Sequence, residues 1–297
     1  MSAPVDRTQG GVMRRCLWLI WVLGGLLACR PSPASTLVTA APSRFQLMIP
    51  ANDFVVGRPR VPLVVFDGPD PAQGVVGLHV ALFEPLGDHS TPVWEGDAVE
   101  YRDFETPYWV FYPEAAQAGV WGLRVDIRLA DGSRDSQQRS LELLAQGSAP
   151  DVGSRPPAVS QPTLATQPDI SRLSSAENPD PALYQMTIAE ALRSGQPSVI
   201  TFATPAFCQT QICAPVVDSV ETVARQFQDQ ANFIHVEIYA DFQALTIAEA
   251  VRAWGLNSEP WTFVLDADGV VQARLAGPLS PTELTAQLEQ VLTAVGP

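Results

Sequence analysis

The sequence predicts two domains, an N-terminal all-β sandwich followed by an α/β layered domain, and three observations carry that expectation. Short apolar alternations separated by Gly and Pro clusters fill residues 44–146 without a helical period. A Pro-rich stretch, 147–177, then interrupts all periodicity. From 178 to 297 helical and strand patterns alternate, the order of an α/β sandwich.

A chain of 297 residues suffices for two such domains, and its 27 Pro and 17% charged residues exclude a single helical bundle or coiled coil. All 18 basic residues are Arg. Without Lys there is no P-loop lysine and no Schiff base. A net charge of −14 with no basic cluster leaves nothing to neutralise phosphates, so a nucleic-acid partner is not expected. No motif calls for a cofactor.

Residues 1–28 read as a signal peptide: Arg14-Arg15 precedes the apolar run Cys16 to Leu27, which is shorter than a membrane span needs. The run ends Leu26-Leu27-Ala28-Cys29, which resembles a bacterial lipobox. That resemblance implies a diacylglycerol on Cys29, anchorage to a lipid bilayer and an extracytoplasmic location. The competing reading is an ordinary secretory signal, or a short anchor with an incidental cysteine. Residues 29–43 have the small, polar, Pro-punctuated composition of a tether.

In 44–146 the clearest strand is Val120 to Leu129, where Leu123, Val125, Ile127 and Leu129 alternate with Arg124, Asp126 and Arg128. Asp131-Gly132 is a turn, and Ser140 to Leu144 returns. Phe45–Ile49, Leu63–Phe66, Gly77–Phe83 and Trp109–Tyr112 are further strands. About seven strands in a hundred residues suit an immunoglobulin-like sandwich. His79 and His89 read as surface residues rather than metal ligands, and Tyr108, Trp109, Phe111 and Tyr112 as core rather than a partner patch.

In 178–297, Asp180-Pro181 opens a helix ending near Gly195, Ser198–Ala203 is a buried strand, and Val216–Phe227 is a helix. Phe233–Tyr239 is a strand in which Glu237 is either a solvent-facing position or a buried acid near the site, the former being expected, and Leu245–Trp254 is a helix. Trp261–Leu265 and Val270–Leu275 form a hairpin around Asp268-Gly269, and Ser280-Pro281-Thr282-Glu283 is a capping box starting the last helix.

With Cys16 in the signal and Cys29 lipidated, only Cys208 and Cys213 remain, and in an exported chain they are expected to act as a pair. Five residues of regular helix would separate their Cα atoms by about 8.7 Å, beyond the roughly 7 Å limit of a bridge. A bridge therefore requires a non-helical stretch, which Pro215 permits by setting the helix start near Ala214 and leaving both thiols on the preceding loop; a helix that began near Cys208 would be kinked at Pro215, and the pair could close only by local unwinding. Cys208, nearer the chain entry, is the candidate attacking thiol, and Cys213 the resolving one.

The strand SVITFA, the cysteine-bearing turn, the helix with Pro215, the Glu259-Pro260-Trp261 step and the final hairpin resemble the thioredoxin family over about 120 residues. The resemblance implies a cis Glu259-Pro260 bond shaping the substrate groove beside the cysteines, and thiol-disulfide exchange with exported protein thiols or a redox partner. The chain departs from the family in having Phe207-Cys208-Gln209-Thr210-Gln211-Ile212-Cys213, a C-x4-C in place of C-x-x-C, and Thr201 where the family buries an acid. Glu259 is the candidate to replace that acid through space.

Three alternatives use the same cysteines. Thr204-Pro205-Ala206-Phe207-Cys208 resembles C-x4-C peroxiredoxins, although their Thr lies three residues before the Cys and Thr204 lies four before. Two Cys with His235 resemble copper-chaperone relatives of thioredoxin. A non-enzymatic binding or scaffold protein would use the bridge only as a staple.

Overall fold

The computed structural model describes residues 43–85, 87 and 90–294. The expected signal peptide, Cys29, the tether up to residue 42 and His89 lie outside the described residues. The sandwich begins with β1 (Phe45–Met48), β2 (Val61–Asp67) and β3 (Asp70–Pro71). It continues through β4 (Val75–Phe83), β5 (Trp94–Asp97), β6 (Val99–Tyr101) and β7 (Tyr108–Phe111). The long strands β8 (Gly119–Leu129) and β9 (Arg134–Leu143) complete it. One sheet runs β1-β2-β7-β6 with β3 on β2, the other β5-β4-β8-β9, and every pairing is antiparallel. This is the pairing of the ABED and CFG sheets of an immunoglobulin sandwich with two added strands, β3 and β5.

Between the sheets, Leu123, Val125 and Ile127 of β8 meet Leu78, Val80 and Leu82 of β4 and Leu63 and Phe111 of the opposite sheet. β9 begins at Arg134, six residues before the expected Ser140. Its first half is polar on both faces, so no apolar alternation reveals it, and β8 holds it by backbone pairing from Arg128↔Arg134 onward. Gly132, at φ 86°, makes the turn between them.

The stretch 147–177 was expected as a semi-extended linker and is strapped to its neighbours. Ala149 and Val159 join one apolar cluster and Leu173 another. Pro157 O accepts the indole N–H of Trp254 at 3.0 Å.

The expected helix from Asp180 to Gly195 is instead a 3-10 turn, Pro181–Tyr184, and a short helix α1 (Ile188–Ala191). Thr187 separates them because it forms a reciprocal capping box with Glu190 and so starts its own helix. β10 (Ser198–Ala203), α2 (Cys213–Phe227) and β11 (Asn232–Glu237) follow. A small hairpin, β12 (Tyr239–Asp241) and β13 (Thr246–Ile247), takes the first turn of the expected helix Leu245–Trp254, so that α3 is only Glu249–Ala253. β14 (Trp261–Leu265), β15 (Val271–Ala276) and α4 (Pro281–Ala294) complete the chain.

The sheet order is β11-β10-β14-β15, with β10 parallel to β11 and antiparallel to β14. Val199 and Ala203 of β10 pack with Val216 and Val220 of α2 and Leu284 and Leu288 of α4. Ile200 and Phe202 face Ile188 of α1 and Val251 and Trp254 on the other side. Helices on both faces explain why all six β10 residues are apolar or small and buried.

The described residues belong to one compact unit. Val64 of β2 and Tyr108 and Val110 of β7 turn away from the sandwich interior and share a core with Leu284 and Leu288 of α4. Both faces of β2 and β7 are therefore covered, which is why VPLVVF and YWVF read as continuous apolar runs. Tyr108, Trp109 and Phe111 are buried as expected of core aromatics, and His79 lies on β4 beside Asp97, 3.0 Å away.

Candidate functional site

β10 delivers the chain to a turn, residues 204–212, at the end of the sheet, and α2 carries it away. Cys213 is the first residue of α2 and is fully buried, whereas Cys208 sits on the turn and is partly exposed. The two form a disulfide with Cα atoms 5.9 Å apart. That separation fits a bridge because only Cys213 is helical. Gln211, at φ 59°, reverses the backbone between them. Pro215 sits in the first turn of α2, where its missing N–H costs no helical hydrogen bond.

The Glu259-Pro260 peptide bond is cis. Phe202 of β10 pairs with Trp261 of β14, which puts Pro260 at the same end of the sheet as the cysteine turn. Burial pushes the Glu259 carboxyl pKa above its ordinary value. Thr201 is buried and hydrogen-bonds Thr262 at 3.0 Å, so no acid lies at that position of the central strand.

Cys208 is flanked by an aromatic residue on one side and by the exposed polar run Gln209-Thr210-Gln211 on the other. Phe207, 38% exposed, meets the rings of Tyr239 and Phe242 at 6.0 and 5.7 Å. The same β12–β13 hairpin exposes Leu245 and Ile247. The hydroxyl of Thr210 lies 3.3 Å from the Cys208 sulfur.

Behind the turn is a polar cluster that sequence reasoning misplaced. Glu237 does not face solvent: it is 6% exposed. One carboxylate oxygen accepts from Ser175 N and Oγ at 2.9 and 2.7 Å, and the other from Ile238 N at 2.9 Å. Ser175 Oγ in turn accepts from Ala206 N at 3.1 Å. His235, two residues earlier on the same face, donates from Nε2 to Ala203 O at 3.1 Å and accepts the Tyr184 hydroxyl at Nδ1 at 2.6 Å. Burial pushes the His235 pKa down against the opposing pull of Glu237. With both ring nitrogens engaged, His235 has none left to ligate copper. Among the described residues no group of three or more His, Cys, Asp or Glu is placed to hold a metal ion. The alternation Phe233, His235, Glu237 was the available signal, since a strand covered on both faces buries polar residues too. Ser175, in a Pro-rich stretch without periodicity, had none.

Thr204 is fully buried and its hydroxyl has no hydrogen-bond partner among the described residues.

A parallel β-α-β step, an antiparallel hairpin, a closing helix and a cis proline at the cysteine end of the sheet decide the architecture. The C-terminal half has a thioredoxin-like fold. The sequence matches no family model and no curated protein. Among solved structures, it is similar to a thioredoxin family thiol:disulfide interchange protein from Chlorobium tepidum TLS, at 17% identity and TM-score 0.34 over 48% of this chain and 99% of that one. A thioredoxin-like superfamily protein matches at 17% identity and TM-score 0.30, over 38% of this chain and 89% of that one. The murine protein CRIg matches at 14% identity and TM-score 0.23, over 34% and 97%. Likenesses this distant carry no functional argument, and the fold rests on the strand order itself.

Proposed function

We propose that the protein is a lipid-anchored extracytoplasmic thiol-disulfide exchange protein acting on exported protein thiols. The observation that supports this most is the asymmetry of the disulfide, with Cys208 on a turn and partly exposed and Cys213 buried at the start of α2, at the end of the sheet that also carries the cis proline. In the dithiol form, which the thiols of a redox partner regenerate from the Cys208–Cys213 disulfide by exchange, the Cys208 thiolate attacks a substrate disulfide, forming a mixed disulfide and releasing one substrate thiolate. The Cys213 thiolate then attacks the Cys208 sulfur, which frees the second substrate thiolate and restores the Cys208–Cys213 bond. The N-terminus of the 15-residue helix α2 favours the anionic thiol. Pro260 shapes the groove, and the apolar shelf of Phe207, Tyr239 and Phe242 suits an unfolded or extended segment of an exported chain. The lipobox-like Cys29 supports the anchor, and a closed disulfide fits an oxidising compartment.

The test is equilibration of the full chain in graded glutathione buffers, followed by alkylation and intact mass. A midpoint between roughly −120 and −270 mV supports exchange, and one below about −300 mV marks a structural staple and overturns it.

A further inference from the structure

The stretch that bears Cys208 is held from behind. Ala203 O, at its start, accepts from His235, and Ala206 N, near its end, donates to Ser175 Oγ. Ser175 is itself fixed by two hydrogen bonds to Glu237, and Glu237 by a third from Ile238 N. Both grips descend from one face of β11, and neither His235 nor Glu237 exceeds 6% exposure. Only Ala206 and Phe207 lie between the proline of this turn, Pro205, and Cys208.

We infer that Glu237 and Ser175 are positioning residues for the cysteine pair: Glu237 orients the Ser175 hydroxyl, and that hydroxyl pins the backbone at Ala206 so that Cys208 stays within bridging reach of Cys213. This rests on the reading of Cys208 and Cys213 as an exchange pair. It assigns a redox role to residue 175, which belongs to the Pro-rich strap and not to the α/β layer that carries the cysteines. Closing a disulfide orders the chain between the two sulfurs, so a turn already fixed at Ala206 favours the oxidised state. Once Ala206 N loses its partner, the turn samples more conformations and the bridge closes less favourably.

The variant to make is Ser175→Ala, at a half-buried position where little packing is lost. Equilibrium is read with glutathione, as disulfide plus two glutathione thiols giving dithiol plus glutathione disulfide. One hydrogen bond contributes roughly a threefold to tenfold change in equilibrium constant. Ser175→Ala is expected to shift the equilibrium toward the dithiol by that factor, tenfold being about 30 mV toward a less negative midpoint. Ser175→Thr retains the hydroxyl and is expected to restore the unsubstituted value. Glu237→Gln, which turns one acceptor into a donor facing Ser175 or Ile238, is expected to shift in the same direction as Ser175→Ala. An unchanged midpoint in Ser175→Ala overturns the inference, as does an equal shift in Ser175→Thr. The midpoint of the unsubstituted chain tests the exchange reading separately, because the difference between variants is measurable wherever that midpoint lies.

Discussion

Arg60 and Glu283 form a bidentate pair, with Nε–Oε1 at 2.6 Å and Nη2–Oε2 at 2.7 Å, that joins the loop before β2 to the first turn of α4. The Glu283 side chain is wholly buried and that of Arg60 3% exposed. Arg60 also donates to Ala276 O and Pro278 O, and the Tyr108 and Tyr112 hydroxyls donate to Glu283. Burial opposes the Arg60 charge, yet Glu283 reverses that and raises its pKa. The Tyr108 pKa is raised by burial and by the same carboxylate. Each nitrogen of the guanidinium and each oxygen of the carboxylate has a hydrogen-bond partner, which is the condition under which a buried ion pair holds two layers in one register.

Replacing Glu283 with Ala leaves Arg60 buried without its counter-charge. Loss of one partner of such a pair costs about 3–5 kcal/mol. Denaturant unfolding is expected to show that loss in a single transition, followed by sandwich tryptophans such as Trp121 and by α-helical circular dichroism alike. Separate transitions for the two signals would mean that the halves are not coupled through this core.

Much of the fold was legible because local pattern and tertiary environment agree. The alternation of Val120 to Leu129 is β8, and SVITFA is the central strand β10. Legibility failed where a residue answers to a distant partner. Ser280-Pro281-Thr282-Glu283 has the spacing of a capping box, and Ser280 Oγ does accept Glu283 N at 3.1 Å. The returning half is missing, because the Glu283 carboxylate belongs to Arg60 and Ser280 N donates to Tyr108 Oη at 2.7 Å. Strands β5 and β6 also escaped notice, being short edges whose WEGD and VEY carry little apolar periodicity. At the site, the cysteines and Pro260 stand out by residue type, while Ser175 acts through a contact 31 residues away in sequence.

Thr204→Val removes a buried hydroxyl that has no hydrogen-bond partner among the described residues and keeps the side-chain shape. An unsatisfied buried polar group costs about 1–3 kcal/mol. The variant is expected to gain at least about 1 kcal/mol in urea unfolding of the oxidised protein. A loss of stability instead would show that the hydroxyl is hydrogen-bonded in solution.

The difference in exposure between the two sulfurs sets the outcome of serine substitutions. In Cys213→Ser the exposed Cys208 thiol forms a mixed disulfide that nothing resolves, so the covalent adduct with a disulfide-bearing peptide accumulates. In Cys208→Ser no adduct forms and the fold stays nearly intact, since the lost sulfur is partly exposed. Mass spectrometry after acid quench distinguishes them. Equal adduct yields from both variants would remove the assignment of Cys208 as the attacking thiol.

The pH dependence of stability follows from His235. Its pKa is lowered in the folded protein, first by burial, with Glu237 on the same strand pulling the other way. In the unfolded chain a histidine takes up its proton near pH 6.5. Below that pH the unfolded state binds a proton that the native state refuses, so native stability falls as the solution is acidified. The contribution is complete above about pH 6.5 and declines by up to about 1.4 kcal/mol per pH unit toward the lowered native value. His235→Gln keeps a donor for Ala203 O and does not titrate. Urea midpoints between pH 5 and 7.5 are therefore expected to fall with acid more steeply in the unsubstituted chain than in His235→Gln, with the two curves converging as pH drops. Parallel curves would show that His235 titrates alike in the folded and unfolded states, and that Tyr184 and Ala203 do not hold it neutral.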